Sequence, residues 1–386
     1  MSLRKLAEAA GISREPGGTT AASHRSALVF VLNRRFLPGL KVLAYTLIEQ
    51  GTLLDLPVLV LSDDHDLADD PFVRAFADRF IAITPADIAQ FADIPAGGIH
   101  ASVALDGIPA YTFLKWLVFD DFGFDQLIWI DADIMCLAPV DHLVELTTAP
   151  LHGGTVAEPG LLIDPETKVA LPPDVIDRNV LAYSYAEQRD RFSLNSGVMV
   201  INRPLLNKAF RDELIAHAKS DSFVNEQTVI RRVLYRRGKE SLGWLRPWDN
   251  YKHGLIARAS PKVRERLLAD VRLMHFVGAG SNPWERPGDR RVPYVMWWAA
   301  YQRAKDASPL FREAGLAEPP APEPPAASPA ADDSRGKRRK PRGRRRQRLR
   351  RRLRRQIRRR LRKQLRRRRR RLRRAQARGR GASKRR

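Results

Sequence analysis

Leu127-Ile128-Trp129-Ile130 is an unbroken run of large apolar side chains that ends abruptly at Asp131-Ala132-Asp133. Such a run, with β-branched residues at two of its four positions, suits a strand covered on both faces. Three further runs share this character: Ala27-Leu28-Val29-Phe30-Val31-Leu32, Leu56-Pro57-Val58-Leu59-Val60-Leu61 and Phe80-Ile81-Ala82-Ile83. Between them lie segments of helical periodicity, residues 40–49 and 111–122, the latter apolar at 113, 114, 117, 118 and 122. Strands alternating with helices give an α/β class, with a mostly parallel central sheet flanked by helices. Open sheets of this kind bind ligands beyond the carboxyl ends of their strands, where the aspartate pair falls. Side chains at i and i+2 of an extended segment point the same way, so Asp131 and Asp133 can converge on one hard cation. The bland reading is a pair of turn or cap aspartates before Leu137-Ala138-Pro139.

Charge divides the chain. Of its 69 Lys and Arg residues, 33 lie in residues 335–386, and none of its 43 acids does. The net charge of +26 therefore describes an appendage, while residues 1–334 are mildly acidic. The expected order is a flexible lead-in over 1–25, a catalytic-size domain over 26–315, a Pro/Ala-rich linker over 316–334 and an Arg-rich tail over 335–386. Residues 6–13 suit at most a short capped helix within that lead-in. Cys136, the single cysteine, permits no intrachain disulfide, and its apolar context suits a buried, inert thiol. No window approaches the ~18 apolar residues of a membrane span, and the N-terminus lacks the apolar centre of a signal peptide. A cytoplasmic protein is expected, held peripherally at the inner face of the membrane if the tail engages it.

In the tail, Leu349, Leu353, Ile357, Leu361 and Leu365 recur every four residues among arginines. Uncompensated, such a segment is disordered in water, and on an anionic membrane surface it can fold as a basic amphipathic helix. Nucleic acid attracts the same charge by counterion release, without sequence preference because the tail has no aromatic residue to stack on bases. A low-complexity extension with no dedicated partner is the plain alternative.

After Asp133 the rhythm changes. Asn195-Ser196-Gly197-Val198-Met199-Val200-Ile201-Asn202 reads as a polar turn feeding a strand. Pro204 suits the first turn of a helix running to about Lys219. Residues 223–235 read as another helix, and Arg272-Leu273-Met274-His275-Phe276 as a late strand with a histidine near its end. No Gly-rich phosphate loop is present, so a diphosphate here must be held by metal, side chains and helix ends.

Taken together, these pieces resemble glycosyltransferase family 8, the nucleotide-sugar enzymes that include glycogenin and the bacterial lipopolysaccharide galactosyltransferases. The resemblance spans about residues 26–300, with the motifs in the family's order. Asn33-Arg34-Arg35-Phe36-Leu37-Pro38-Gly39 is similar to the segment beside the uracil, and Lys115 stands where the family keeps a basic residue over the nucleotide. Ile130-Asp131-Ala132-Asp133 looks like the Asp-x-Asp signature. Glu158 falls where the family has an Asp near the donor sugar. Asn195-Ser196-Gly197-Val198 resembles the strand along that sugar, and Glu226-Gln227 falls on the family's Asp-Gln pair. His275-Phe276-Val277-Gly278, followed by Pro283-Trp284, resembles the closing motif. That motif carries one extra residue here, and Asn282 replaces the family's phosphate-binding Lys.

The resemblance implies a nucleotide-diphospho-sugar transferase (GT-A-like) fold and a retaining hexosyltransferase. Its donor would be a UDP-sugar and its acceptor a glycan, a lipid-linked saccharide or a protein. Asp131, Asp133 and His275 would hold a divalent cation, Mn²⁺ or else Mg²⁺, a mixed O/N donor set favouring manganese. Asn33, Lys115, Ala132, Glu158, Asn195, Ser196, Gly197, Gly278 and Asn282 would line the donor. Gln227 would face the anomeric carbon and Glu226 would orient hydroxyls. Each residue also has a plain reading: His275 in the core, Lys115 solvated, Asn195 in a turn, Glu158 and the Glu226-Gln227 pair on a surface. Two rival functions stand beside this one. The body can be a catalytically weak transferase fold that binds polyanions through its tail, or a metal-dependent phosphohydrolase or nucleotidyltransferase using the same aspartates.

Overall fold

The structure is a computed structural model, and it describes residues 3–12, 25–94, 111–156, 193–220, 226–259, 261–278 and 280–317. Glu158, the linker and the Arg-rich tail lie outside the described residues. The described residues belong to one compact unit, Met1–Ala321.

Ten strands are present among them: β1 (Ser26–Val31), β2 (Val58–Ser62), β3 (Arg79–Ala82), β4 (Gln126–Ile130), β5 (Ile134–Cys136), β6 (Leu151–Val156), β7 (Ser193–Asn202), β8 (Leu242–Trp244), β9 (Tyr251–Lys252) and β10 (Leu273–His275). The helices are α1 (Leu3–Ala9), α2 (Leu37–Glu49), α3 (Pro71–Phe76), α4 (Pro85–Ala89), α5 (Tyr111–Leu114), α6 (Lys208–Ser220), α7 (Glu226–Arg237), α8 (His253–Arg258), α9 (Pro261–Asp270) and α10 (Val292–Ala307). Seven strands form one sheet in the order β3-β2-β1-β4-β7-β6-β8. Pairing is parallel except where β7 runs antiparallel to both β4 and β6. The mostly parallel α/β sheet expected from the apolar runs is thus observed.

Alternation along the strands explains why both faces are covered. Leu28, Phe30, Ile128, Ile130, Val198 and Val200 pack on one side with α1, α2 and α3. Ala27, Val29, Leu127, Trp129, Met199 and Ile201 pack on the other with α6 and α7. Each large apolar side chain buried this way contributes about 1.5–3 kcal/mol. A smaller sheet, β5-β10-β9, rests on a third core of Met135, Met274, Phe276, Trp284, Trp297 and Tyr301.

Several sequence expectations are corrected. Residues 3–12 are not a loose lead-in: Leu3 and Leu6 are buried, and Arg4 forks onto Asp55 at 2.6 and 2.9 Å. The helix does stop early, at Gly11 with φ +69°, a conformation that favours glycine. Residues 111–122 divide into α5 and a 3-10 stretch, Lys115–Phe119, rather than one helix. Pro204 opens only the 3-10 turn Arg203–Leu205, and α6 begins at Lys208. Cys136 is buried as expected, donates to Ala138 O at 3.2 Å, and has its thiol pKa pushed well up by burial.

Candidate metal centre

Asp131 leaves the end of β4 on the same side as Trp129, two residues earlier. Its backbone N–H donates to Gly197 O at 2.7 Å, the last rung of the β4–β7 ladder. Asp131 to Ile134 then form a tight turn, closed by Ile134 N donating to Asp131 O at 3.2 Å. The convergence of the two carboxylates is thus the work of a turn and not, as the i, i+2 spacing suggested, of an extended strand.

The turn feeds directly into β5, which pairs antiparallel with β10 so that Ile134 faces His275. Phe276 N donates to Asp133 O at 3.0 Å and locks this register. A slip of one residue would turn His275 to the opposite face. In the observed register its Nε2 lies 3.2 Å from Asp133 Oδ1 and 3.7 Å from Asp131 Oδ2. One ligand atom from each of Asp131, Asp133 and His275 lies within 4.8 Å of the others, so the trio can hold a metal ion.

Asp131 divides its two oxygens. Oδ1 accepts from Lys115 Nζ and from Trp129 Nε1, each at 2.9 Å, leaving Oδ2 turned towards His275. Lys115 also sits 4.9 Å from the centre of the Trp129 ring and donates to Ser196 Oγ at 3.2 Å. Burial works against its charge, but Asp131 and Glu226 outweigh that and hold the ammonium pKa above its usual value. Burial raises the Asp131 pKa; Lys115 opposes the rise and Asp133 adds to it. The plain reading of Lys115 as a solvated cation fails on this geometry.

Ser196 is the hub of the second half. Its Oγ donates to Glu226 Oε1 at 3.0 Å, and its N–H donates to Gln227 Oε1 at 3.2 Å. Glu226 opens α7 but is buried behind Ser196, so it is not a surface acid. Ser196 lies where β7 bulges: Met199 pairs with Gly153 and Asn195 with the next residue, Gly154. Bulges of this kind re-aim side chains beside functional sites.

The remaining sequence candidates lie along the same edge or behind it. Asn33 follows β1, which is parallel to β4, and its Oδ1 is buried with no hydrogen-bond partner among the described residues. Behind Ala132, the first turn of α2 comes so close at Gly39 that a Cβ there would lie 2.4 Å from Ala132 O and 2.5 Å from Trp284 Cζ3. Gly278 takes φ +122° at the start of the loop to Trp284. Asn282 is buried just before the turn Pro283–Glu285 and places no cation there, while Arg286 donates to Gly280 O.

Two participants were not legible in the sequence. Trp129 reads as core, yet its indole N–H holds Asp131. Asn250 ends the 3-10 turn Pro247–Asn250 and is hydrogen-bonded to both Asn195 and His275, at 2.7 and 2.8 Å. No periodicity or motif marked it.

No protein-family model and no curated protein matches this chain. Among solved structures it is similar to the bifunctional glycosyltransferase WbbM in its apo form, with a TM-score of 0.48 and 13% identity over 77% of this chain and 54% of that one. It is also similar to the galactosyltransferase LgtC in complex with donor and acceptor sugar analogues, with a TM-score of 0.45 and 17% identity over 72% and 95% of the two chains. The glycosyltransferase GlyE of Streptococcus pneumoniae TIGR4 gives a TM-score of 0.42 and 14% identity over 71% and 60%. The chain thus spans about half the length of WbbM. At these scores and identities the likenesses assign no activity to this chain.

Proposed function

We propose that the body of this chain is a GT-A-like, metal-dependent glycosyltransferase of the family-8 type. It moves a sugar from a UDP-sugar to a glycan, lipid-linked or protein acceptor with retention of configuration. The observation that carries the reading is the meeting of Asp131, Asp133 and His275, remote in sequence, with Lys115, Ser196, Glu226 and Gln227 gathered beside them. All seven stand on positions of the family motifs.

The donor set fits a divalent cation, and its mixed oxygen and nitrogen character favours Mn²⁺ over Mg²⁺. Bound there, such an ion supplies Lewis-acid neutralisation of a departing diphosphate. The chain's own residues do the rest. Lys115 occupies Asp131 Oδ1, leaves Oδ2 for coordination, and adds fixed positive charge in a site that offers none at Asn282. The orphaned Asn33 Oδ1 suits the imide N–H of a uracil, because a buried acceptor without a partner is costly until a ligand donates to it. Glu226 acts on the donor through Ser196, and Gln227 faces the anomeric carbon. Gly197 makes room for the His275 ring rather than for a sugar, since a Cβ there would fall 2.2 Å from His275 Cε1.

The Arg-rich tail would hold the enzyme by charge on an anionic membrane surface, at the cytoplasmic side, or on nucleic acid. No helix among the described residues is long and apolar enough to cross a membrane. The test is UDP release from common UDP-sugars in the presence of Mn²⁺, with Asp133→Ala as control. Release that depends on Asp133 supports the reading. A body that neither binds UDP nor turns over any donor, joined to a chain whose salt-sensitive RNA binding vanishes on truncation at Ser334, selects the polyanion-binding alternative.

A further inference from the structure

Asn250 is buried, belongs to none of the motifs above, and touches both halves of the site. The direction of its hydrogen bonds follows from one fixed point. A backbone N–H only donates, so the Asn195 atom 3.0 Å from Gly197 N is the oxygen Oδ1. That same oxygen lies 2.7 Å from Asn250, which must therefore present its NH₂ group there. The Asn250 oxygen then faces His275 Nδ1, at 2.8 Å. A carbonyl oxygen only accepts, so Nδ1 carries the ring hydrogen. In the neutral imidazole Nε2 is left with a lone pair, and Nε2 is the nitrogen aimed at Asp133 and Asp131.

Reversing the Asn250 amide would set two acceptors against each other at Asn195. Reversing Asn195 as well would set two donors against each other at Gly197. The packing is built around the observed arrangement. A Cβ at Gly154 would fall 2.1 Å from Asn250 Nδ2, and one at Gly197 would fall 2.2 Å from His275 Cε1. Both glycines sit where β6 and β7 shift register.

We infer that Asn250 is a positioning residue of the cation site: with Asn195 it holds His275 in the Nδ1–H tautomer, so that Nε2 is free to bind a divalent ion between the two aspartates. The inference rests on the cation reading above. It also gives Asn195 a second duty, since its oxygen is committed to Gly197 and Asn250 rather than to a sugar. Partners that fix a ligating histidine in this way usually matter by about 10–100-fold in metal affinity.

The test uses the full chain. Long-range proton–nitrogen NMR of the histidine rings in metal-free protein, assigned with His275→Gln, reads the tautomer. Calorimetric titration with Co²⁺ reads affinity. The expected result is a hydrogen on Nδ1 of His275 in the wild type. Asn250→Ala is expected to populate the Nε2–H form and to raise the Co²⁺ dissociation constant about 10–100-fold. Asn250→Asp, whose carboxylate still accepts from Nδ1–H but sets an acceptor against Asn195 Oδ1, is expected to keep the tautomer and recover part of the affinity. A wild-type His275 whose Nδ1 lacks a hydrogen, or unchanged Co²⁺ affinity in Asn250→Ala, overturns the inference. Undiminished Co²⁺ binding by Asp133→Ala defeats the cation reading instead, and the wild-type tautomer still judges the Asn250 assignment. The same wild-type measurement decides the matter if Asn250→Ala does not fold.

Discussion

Lys115 Nζ lies 2.9 Å from Asp131 Oδ1, and this contact decides which oxygen of Asp131 is left for anything else. The lysine is both the counter-charge of a buried carboxylate and a fixed cation beside the candidate metal centre. Lys115→Met would leave Asp131 beside Asp133 with its main partner gone. The variant should lose about 1–3 kcal/mol of unfolding free energy, the usual cost of stranding a buried polar partner. Added Mn²⁺ should narrow the gap to wild type, because a bound cation replaces the missing charge. Urea unfolding with and without Mn²⁺ measures both effects. Equal stability of the two proteins would contradict the pairing, and a gap indifferent to Mn²⁺ would contradict the link to the metal centre.

Gly197→Ala tests the packing around His275. The added methyl would sit 2.2 Å from His275 Cε1 and 2.9 Å from Asn195 Oδ1, so the imidazole must move. Overpacking of this kind costs about 1–3 kcal/mol. Co²⁺ affinity should fall well below wild type, and a titration that shows unaltered affinity would mean that His275 is not held by this strand.

Gly39→Ala probes the opposite side of the acid turn. Its methyl meets the Ala132 carbonyl and the Trp284 ring, neither of which is a flexible side-chain end. A loss of about 1–3 kcal/mol is expected. The melting temperature should drop accordingly, and a variant that melts with wild type would show that α2 is not pressed against the turn.

His152 gives the stability a pH dependence of known sign. It is buried on β6, and its Nε2 accepts from Ala149 N at 3.1 Å, a bond that only the neutral ring can make. Burial lowers its pKa in the folded state. The unfolded chain takes up its proton near the ordinary value of about 6.5, while the folded protein resists. Stability is therefore undiminished above that pH and falls as pH drops below it. Urea midpoints at successive pH values should show a steeper acid loss in wild type than in His152→Gln; parallel profiles would remove His152 as a cause.

The sheet was legible because its strands are short, apolar and buried on both faces, which leaves a signal in the sequence that needs no partner to read. The motif residues were legible for a different reason, since their order along the chain matches a known pattern. What escaped depends on the third dimension. Trp129 meets Asp131 only two residues on, yet an apolar run gives no sign that its N–H is spent there, and Asn250 reaches His275 only because β9 pairs with β10. The turn at Asp131–Ile134 was misjudged as extended because an i, i+2 pair fits either geometry. The break after α5 and the late start of α6 follow tertiary packing that propensity does not see. Leu3 and Leu6, in a segment too short to announce itself, are buried by contact with a core assembled from later residues.

One cation shared by Asp131, Asp133 and His275 is what the transferase requires, and calorimetric titration of the full chain with UDP tests it most directly. UDP should bind in the presence of Mn²⁺, bind far more weakly with a chelator in its place, and fail to bind Asp133→Ala in either condition. UDP binding that is indifferent to Mn²⁺ and survives the loss of Asp133 would contradict the metal centre and, with it, the proposed transferase.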